Sequence, residues 1–308
     1  MLTIDQITDI FFTADEYCNF LDQNLDQYIQ KLPSSTDKRA YRRPNAMSHS
    51  EVITILICFH QSDYKTLKHF YTDYVRIFLK AEFPKLVSYN RFVELQQLSA
   101  MHLMMFLITN CTGESTGISF IDSTKLAVCK NQRIHQHKVF KGIAQRGKSS
   151  TGWFYGFKLH FIINDCGEVI SFKLTTGNVA DNNENLLLTL CKKIFGKLYG
   201  DKGYIVKEAT FDKLFFDGVH LITKIKKNMK NKLMSIADKV MLRKRALIET
   251  IIDQLKNIAQ IEHSRHRCFT NFITNIFAAL CAYSYAPKKP SIKSNFEFHT
   301  ENNLQLSL

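Results

Sequence analysis

Apolar and polar positions recur at helical spacing through the amino-terminal third of the chain. The apolar positions from Ile4 onward predict an acidic helix at the start. A polar, basic stretch between Pro33 and Pro44 predicts a loop. Three further helices are predicted after this loop, through residues 51–60, 64–83 and 88–110. The first third is therefore expected to be all helical.

From Gly117 the pattern changes to strand-like runs. Three of them follow one another, at 118–128, 153–165 and 168–177, with a tight turn at 164–167 between the last two. They are followed by a helix at 184–195, a strand at 197–201, a helix near 205–216, a strand at 219–227 and a long helix over about 235–261. This order predicts an α/β fold with a mixed sheet flanked by helices. Among mixed folds, it is the order expected of an RNase H-like domain.

The charge of the chain indicates a polyanionic partner. Lys and Arg total 41 against 28 Asp and Glu, and the formal charge of +13 favours nucleic acid over membrane lipid. Residues 123–164 hold eight Lys or Arg and no acid, and residues 224–267 hold twelve against four acids. No stretch offers the roughly twenty apolar residues of a membrane span, and the scattered cysteines suit a reducing compartment. We therefore expect a cytoplasmic protein without a membrane partner.

These patterns divide the chain into three parts. Residues 1–112 are predicted to be a helical region, residues 113–290 an RNase H-like domain, and residues 291–308 a polar tail; the family resemblance given below implies DNA binding and dimerisation for the first region. Basic residues lie among aromatic residues in the first part, at Lys65, Lys68, Arg76 and Arg91. This mixture is typical of a small DNA-binding unit, and an ordinary helical bundle with a solvated basic face fits it at least as well.

Two aspartates close strand-like runs. Asp122 closes the run ISFID, and Asp201 closes the run KLYGD. If these strands are parallel neighbours, both carboxylates emerge at the same edge of the sheet, where Mg²⁺ finds oxygen ligands. A turn or helix-capping role is the commoner fate of a single Asp at a strand end.

The long helix predicted near the carboxyl end offers a third acid. Helical geometry places Arg245, Glu249 and Lys256 on one strip beside an apolar stripe. An exposed Arg245–Glu249 ion pair without catalytic meaning is the default interpretation of this spacing. Asp253 lies close by on the helical wheel and is a rival to Glu249.

Several other residues have both a functional and a structural interpretation. Asp181 either supports a metal site by contacting its ligands rather than the metal, or it caps the helix that begins near Glu184. Trp153 and Tyr155 can stack on an unpaired base, although packing within a strand is the more common role. His160 fits packing on a sheet face better than metal ligation.

Six blocks of the sequence carry a resemblance to a known family. They are SHSEVITILICFHQS, FPKLVSYNRFVELQ, the long block from GISFIDSTKLAV to GWFYGFKLHFIIND, TTGNVADNN, LYGDKGY and RALIETIIDQLKN. These blocks resemble bacterial insertion-sequence transposases of the DDE class and, more narrowly, the insertion-sequence 982 group. The resemblance extends from about residue 45 to about residue 285, and its GWFYGFKLH and DKGY blocks are specific.

The resemblance implies an RNase H-like catalytic domain in which Asp122, Asp201 and Glu249 are the catalytic and metal-binding acids. It also implies two Mg²⁺ ions, for which Mn²⁺ can substitute. Arg245 and Lys256 stand at the family's spacing around the last acid, which favours Glu249 over Asp253. The Tyr of that family motif is replaced here by Leu242.

The implied activity is metal-dependent cleavage at insertion-sequence ends and strand transfer into target DNA. The expected partners are double-stranded DNA, with its terminal inverted repeats, and a second copy of the chain. The expected DNA-binding residues are Lys202, Arg245, Lys256, Lys158, Arg265 and Arg267. The alternatives are an RNase H-like nuclease that hydrolyses DNA without joining it, and a catalytically inactive DNA-binding protein.

Overall fold

The computed structural model describes residues 2–31, 45–150, 152–225, 233–262 and 266–292, with side chains from 25 to 31 left undescribed. The predicted loop between Pro33 and Pro44, and most of the predicted polar tail, lie outside these residues. The first third is helical, as predicted. Its elements are α1 (Ile4–Lys31), α2 (His49–His60), α3 (Leu67–His69), a π-helical turn (Phe70–Val75), α4 (Arg76–Phe78), α5 (Tyr89–Leu98) and α6 (Ala100–Asn110).

Local side-chain bonds set the boundaries of these helices. α2 begins at a capping box, in which Ser48 accepts from the Glu51 N–H at 3.1 Å and the Glu51 carboxylate accepts from the Ser48 N–H at 2.7 Å. The single helix predicted over 88–110 is instead two helices, α5 and α6, bent by 58°. Ser99 lies between them and donates its hydroxyl to the Leu95 carbonyl, a local bond that competes with a continuous helix.

A six-stranded mixed sheet follows. Its strands are β1 (Ile118–Cys129), β2 (Gln145–Ser149), β3 (Gly152–Asn164), β4 (Val169–Thr176), β5 (Gly196–Gly200) and β6 (Val219–Thr223). β4, β3 and β1 are antiparallel neighbours, and β5 and β6 continue from β1 in parallel. This arrangement is RNase H-like, so the predicted fold class is confirmed.

β2 is a strand that the sequence does not predict. It pairs with the amino-terminal end of β3. Its residues, QRGKS, show no alternation of apolar and polar side chains, which is the signal on which strand prediction depends.

Helices cover the sheet and complete the fold. They are α7 (Glu184–Leu190), α8 (Glu208–Phe216), α9 (Ile236–Lys244), α10 (Ala246–Asn257) and α11 (Phe269–Ser284). The long helix predicted over about 235–261 is therefore two helices, with Arg245 at their junction. Neither Gly nor Pro marks this break, so periodicity alone does not reveal it.

Two buried clusters lie on opposite faces of the sheet. Phe120 on β1 belongs to the larger cluster, together with Ile53 of α2, Phe106 of α6 and Ile248 of α10. The next residue, Ile121, belongs to the smaller cluster, beneath α7 and α8, because successive side chains of a strand point to opposite faces. The amino-terminal helices and one face of the sheet thus share one core.

Among the described residues, no single helix is both long and apolar enough to cross a membrane, and only the bent α5–α6 pair meets these criteria when taken together.

Candidate active site

The parallel pairing of β1 and β5 brings the first two predicted acids to one edge of the sheet. Phe120 is in register with Tyr199, and the two rings stack on the same face. Asp122 and Asp201 each follow two residues later, so continuing this register places them side by side. Asp201 lies just beyond the carboxyl end of β5, whereas β1 continues past Asp122 to Cys129, so the expectation that Asp122 ends its strand is wrong. The expected geometry of two parallel neighbours is therefore present.

Asp122 is a largely buried carboxylate. Its Oδ2 atom lies 2.9 Å from Nη1 of Arg245, and its Oδ1 atom accepts from the Ser123 N–H at 2.8 Å. Burial raises the pKa of Asp122 to about 6; Arg245 and the Ser123 N–H oppose the shift, and the charge of Asp201 adds to it. The influence of Asp201 on this pKa agrees with the proximity that the register indicates.

Asp201 is fixed by a turn of its own backbone. Its Oδ1 atom accepts from the Gly203 N–H at 2.7 Å and caps the short 3₁₀ helix Lys202–Tyr204. A Cβ at Gly203 would lie 2.8 Å from that same oxygen, and a Cβ at Gly200 would lie 3.1 Å from Tyr204 Cβ. The two glycines of the LYGDKGY block therefore leave room for the protein's own atoms.

Arg245 connects the third acid to the first. Its Nη2 atom lies 2.6 Å from Oε1 of Glu249, one helical turn away, while Nη1 holds Asp122. The Glu249 side chain is 58% exposed. Asp253 is exposed as well, and it accepts from Asn257 at 2.6 Å. The side-chain contacts thus link Glu249, rather than Asp253, to Asp122.

A second polar network lies behind Asp122, on the other face of β1. Asp181 accepts from the Lys158 ammonium at 3.1 Å and from the Ser123 hydroxyl at 2.9 Å. His160 lies 3.7 Å from the same oxygen and bonds to Thr175 at 2.9 Å, and burial lowers its pKa to about 4. Lys158 is itself buried, so its placement favours an internal role over the expected DNA contact.

For some residues, the structure decides between the functional and the structural interpretation. The cap of α7 is Asn183, whose side chain accepts from a backbone N–H at 3.0 Å, so the capping interpretation of Asp181 is wrong. Tyr155 is buried and donates its hydroxyl to the Phe140 carbonyl at 3.1 Å, which is a packing role. Trp153 is different, because 62% of its surface is exposed.

The other expected DNA-binding residues lie in different surroundings. Lys202 and Arg267 are exposed. Lys256 is half-buried and lies 3.1 Å from Glu262. Arg265 lies outside the described residues. Lys202 is the exposed cation next to Asp201 in the chain.

The acidic side chains suit divalent metal ions by their chemistry. Carboxylate oxygens are the ligands that Mg²⁺ prefers. Burial is the main cause of the raised pKa of Asp122, and the charge of Asp201 adds to it, so a bound cation would favour the ionised carboxylate. In the part of the chain that the structure describes, no group of three or more His, Cys, Asp or Glu side chains is already arranged to hold a metal. Arg245 instead bridges Asp122 and Glu249 with its single positive charge in this conformation.

The sheet order and the two acids on neighbouring parallel strands define an RNase H-like protein with a carboxylate site. The chain belongs to the transposase DDE domain family, whose model matches residues 112–269. Members of this family generally use divalent metals. A search of curated protein sequences gave no match.

Solved structures with detectable similarity include three of the Mos1 transposase. The Mos1 strand transfer complex shares 11% identity, covers 87% of this chain and 86% of its own, and has a TM-score of 0.23. The Mos1 paired-end complex with the left transposon end shares 12% identity, with 87% of each chain covered and a TM-score of 0.24. The Mos1 mariner paired-end complex with Mn shares 10% identity, covers 94% and 99%, and has a TM-score of 0.24.

Proposed function

We propose that this protein is a bacterial insertion-sequence transposase of the 982 group that cuts DNA at the ends of its element and joins those ends to target DNA. The observation that carries the proposal is the Arg245 bridge from Asp122 to Glu249, beside Asp201, within a DDE domain. The sequence blocks that resemble the 982 group support the narrower assignment.

Asp122, Asp201 and Glu249 are the acids that we propose to hold two Mg²⁺ ions. When bound, such ions stabilise the entering and leaving oxygens of a phosphodiester exchange. Asp122 and Asp201 are held by backbone N–H groups, at Ser123 and Gly203 respectively. Their carboxylates are therefore oriented before any ligand binds, whereas the exposed Glu249 depends on Arg245 for its position.

In this proposal, the cations around these acids bind phosphates of the DNA backbone. Arg245 already contacts two of the acids, so a scissile phosphate that reaches them also reaches its guanidinium, a group that binds phosphate oxygens in pairs. Lys202 is exposed beside Asp201, where it can contact a neighbouring phosphate. Such contacts position a strand without reading its bases.

The remaining parts of the proposal concern the partners. We assign the recognition of terminal inverted repeats and dimerisation to the helical region 1–112, and catalysis to residues 113–290. The basic residues of the first part are exposed, at Lys65, Lys68, Arg76 and Arg91. A dimer follows from the chemistry, because two element ends must be held together during joining.

A joining assay tests this function. Purified protein is incubated with Mg²⁺, a labelled duplex that carries the sequence flanking its gene, and a supercoiled plasmid. We expect labelled ends covalently joined to the plasmid, and loss of cleavage and joining together in Asp122→Asn and Asp201→Asn.

Two results would contradict the proposal. Nicked ends without any joined product would identify a nuclease that only hydrolyses DNA. Full activity in both aspartate variants would show that the site lies elsewhere.

A further inference from the structure

A groove of about 550 Å³ extends away from the carboxylate edge. We call it the hairpin groove and define it by Arg146, Lys148 and Trp153 of the β2–β3 hairpin, the segment 177–182, and Gly203. Gly203 is the residue whose N–H holds Asp201. The groove thus reaches the turn that holds Asp201.

The charge of the hairpin groove is positive. Arg146 and Lys148 are exposed, and no ion pair joins either of them to a carboxylate among the described residues. The acid that lines the groove, Asp181, lies 3.1 Å from the Lys158 ammonium, which offsets its charge. A polyanion that enters the groove therefore meets cations that have no acidic partner of their own.

Trp153 presents an aromatic surface in the same groove. It is in register with Lys148, whose Nζ lies 5.8 Å from the centroid of the indole ring. The Trp153 backbone is anchored, because Asn131 donates to its carbonyl at 2.8 Å. A large apolar side chain that is 62% exposed on an anchored strand is available for a ligand.

The hairpin is held firmly against the rest of the sheet. A Cβ at Gly147 would lie 2.1 Å from the Gly177 carbonyl oxygen, so β2 and the end of β4 approach more closely than side chains allow. The Gly177 N–H donates to the Gly156 carbonyl at 3.0 Å. The strand that carries Arg146 and Lys148 is thus packed closely against the segment that follows β4.

We propose that the hairpin groove binds an unpaired DNA strand, with Trp153 stacked on a base and with Arg146 and Lys148 on its phosphates. The choice of DNA rests on the proposed function. The choice of an unpaired strand rests on Trp153, because a base can stack on a side chain only when it is not already stacked within a duplex.

The position of Trp153 sets how far this strand extends. Asp122 is in register with Phe161 of β3, and Trp153 lies eight residues earlier on that strand, a distance of about 27 Å at 3.4 Å per residue. The stacked base is therefore several nucleotides away from the bond at Asp122. The groove holds DNA beside the reacting end rather than the reacting nucleotide itself.

Intrinsic fluorescence tests this inference directly, because Trp153 is the only tryptophan in the chain. The protein is kept in a chelator, so that no metal-dependent DNA cleavage occurs. It is titrated separately with an oligothymidylate of about twenty nucleotides, with a duplex of the same length, and with heparin. We expect saturable quenching by the single strand only. Heparin binds through its charge but offers no base to stack.

Variants separate the two kinds of contact, with a labelled single strand and anisotropy as the readout. Trp153→Ala should weaken binding by about 5- to 150-fold. Arg146→Gln and Lys148→Gln should each reduce the slope of log K against log salt by about 0.7. Lys193→Gln, at the opposite end of β5, removes an equal charge and should leave the quenching unchanged.

The outcomes distinguish this inference from the proposed function. Equal quenching by duplex, or none by the single strand, would overturn the assignment of the groove, even if the protein joins DNA. Quenching by the single strand in a protein that does not join DNA would support the groove and overturn the transposase proposal.

Discussion

Nη1 of Arg245 lies 2.9 Å from Oδ2 of Asp122, although the two residues are 123 positions apart in the chain. This contact fastens the junction of α9 and α10 to Asp122 in the middle of β1. Both side chains are largely withdrawn from solvent, at 13% and 19% exposed. The ion pair therefore holds two elements of the fold together.

Loss of this ion pair should destabilise the protein. Arg245→Gln leaves the buried Asp122 carboxylate without its cation, and we expect a loss of about 2 kcal/mol in the free energy of unfolding, measured by urea denaturation at neutral pH. Arg243→Gln, at an exposed position of α9, is the matched control and should change stability by less than about 0.5 kcal/mol. Equal effects of the two variants would show that the Arg245 contact is not structural.

Glu249 and Asp253 form a matched pair of acids on α10. Glu249→Gln should lower DNA cleavage and joining by roughly a thousandfold or more, since it removes an acid of the proposed site. Asp253→Asn should retain nearly full activity, because Asp253 contacts Asn257 rather than Arg245. Joining of labelled DNA measures both. The opposite ranking would transfer the third catalytic role to Asp253.

The Asp122 carboxyl should make metal-free stability fall as pH rises. Its pKa is raised from 3.8 to about 6 in the folded state, so its contribution is present below pH 4 and is lost as pH rises through 6. The loss amounts to about 3 kcal/mol. Urea unfolding in a chelator should show this loss in the wild type and not in Asp122→Asn. Parallel pH profiles for the two proteins would contradict the raised pKa.

His160 should produce a dependence of the opposite sign. Burial lowers its pKa from 6.5 to about 4, so its contribution is present above pH 6.5 and is lost, by about 3 kcal/mol, as pH falls to 4. His160→Gln keeps a group able to bond to Thr175 and does not titrate. The difference in stability between wild type and variant should therefore shrink on acidification. A constant difference would mean that His160 is not held neutral.

Lys158 and Asp181 should be coupled energetically. Lys158→Met and Asp181→Asn should each be destabilising, and the double variant should recover about 1–3 kcal/mol relative to the sum. Urea unfolding of the wild type, the two single variants and the double variant measures this coupling energy. If the two substitutions changed stability additively and Lys158→Met weakened the salt dependence of DNA binding, Lys158 would be a DNA-binding residue rather than an internal partner of Asp181.

The sheet was the most predictable part of the fold. The runs that became β1, β3 and β4 are long and apolar, and the turn at Asn164–Gly167 separates two of them clearly. The breaks at Ser99 and Arg245 were not predictable, because neither Gly nor Pro occurs at either position. Besides its local bond to Leu95, Ser99 also bonds to His49 of α2, and Arg245 bonds to Asp122 of β1. β2 is stabilised by pairing with β3, and no pattern in the β2 sequence predicts this pairing.

The candidate site was predictable at the level of residue types and spacing. The ends of two strand-like runs indicated Asp122 and Asp201, and the helical strip indicated Arg245 with Glu249. Spacing could not reveal that Arg245 bridges two acids, since that depends on how α10 docks against β1. Nor could it show that Lys158 is turned inward to Asp181, because basic side chains in a strand give no sign of their burial.

The core shared by the amino-terminal helices and the sheet bears on where the DNA is cut. Helices packed into the same interior as Phe120 cannot swing away from the catalytic edge without opening that interior to water. If the helical region binds the terminal repeat, the packed protein fixes the distance between the bound sequence and the catalytic edge. The number of base pairs between the gripped sequence and the cut would then be fixed by packed side chains rather than by the length of a linker.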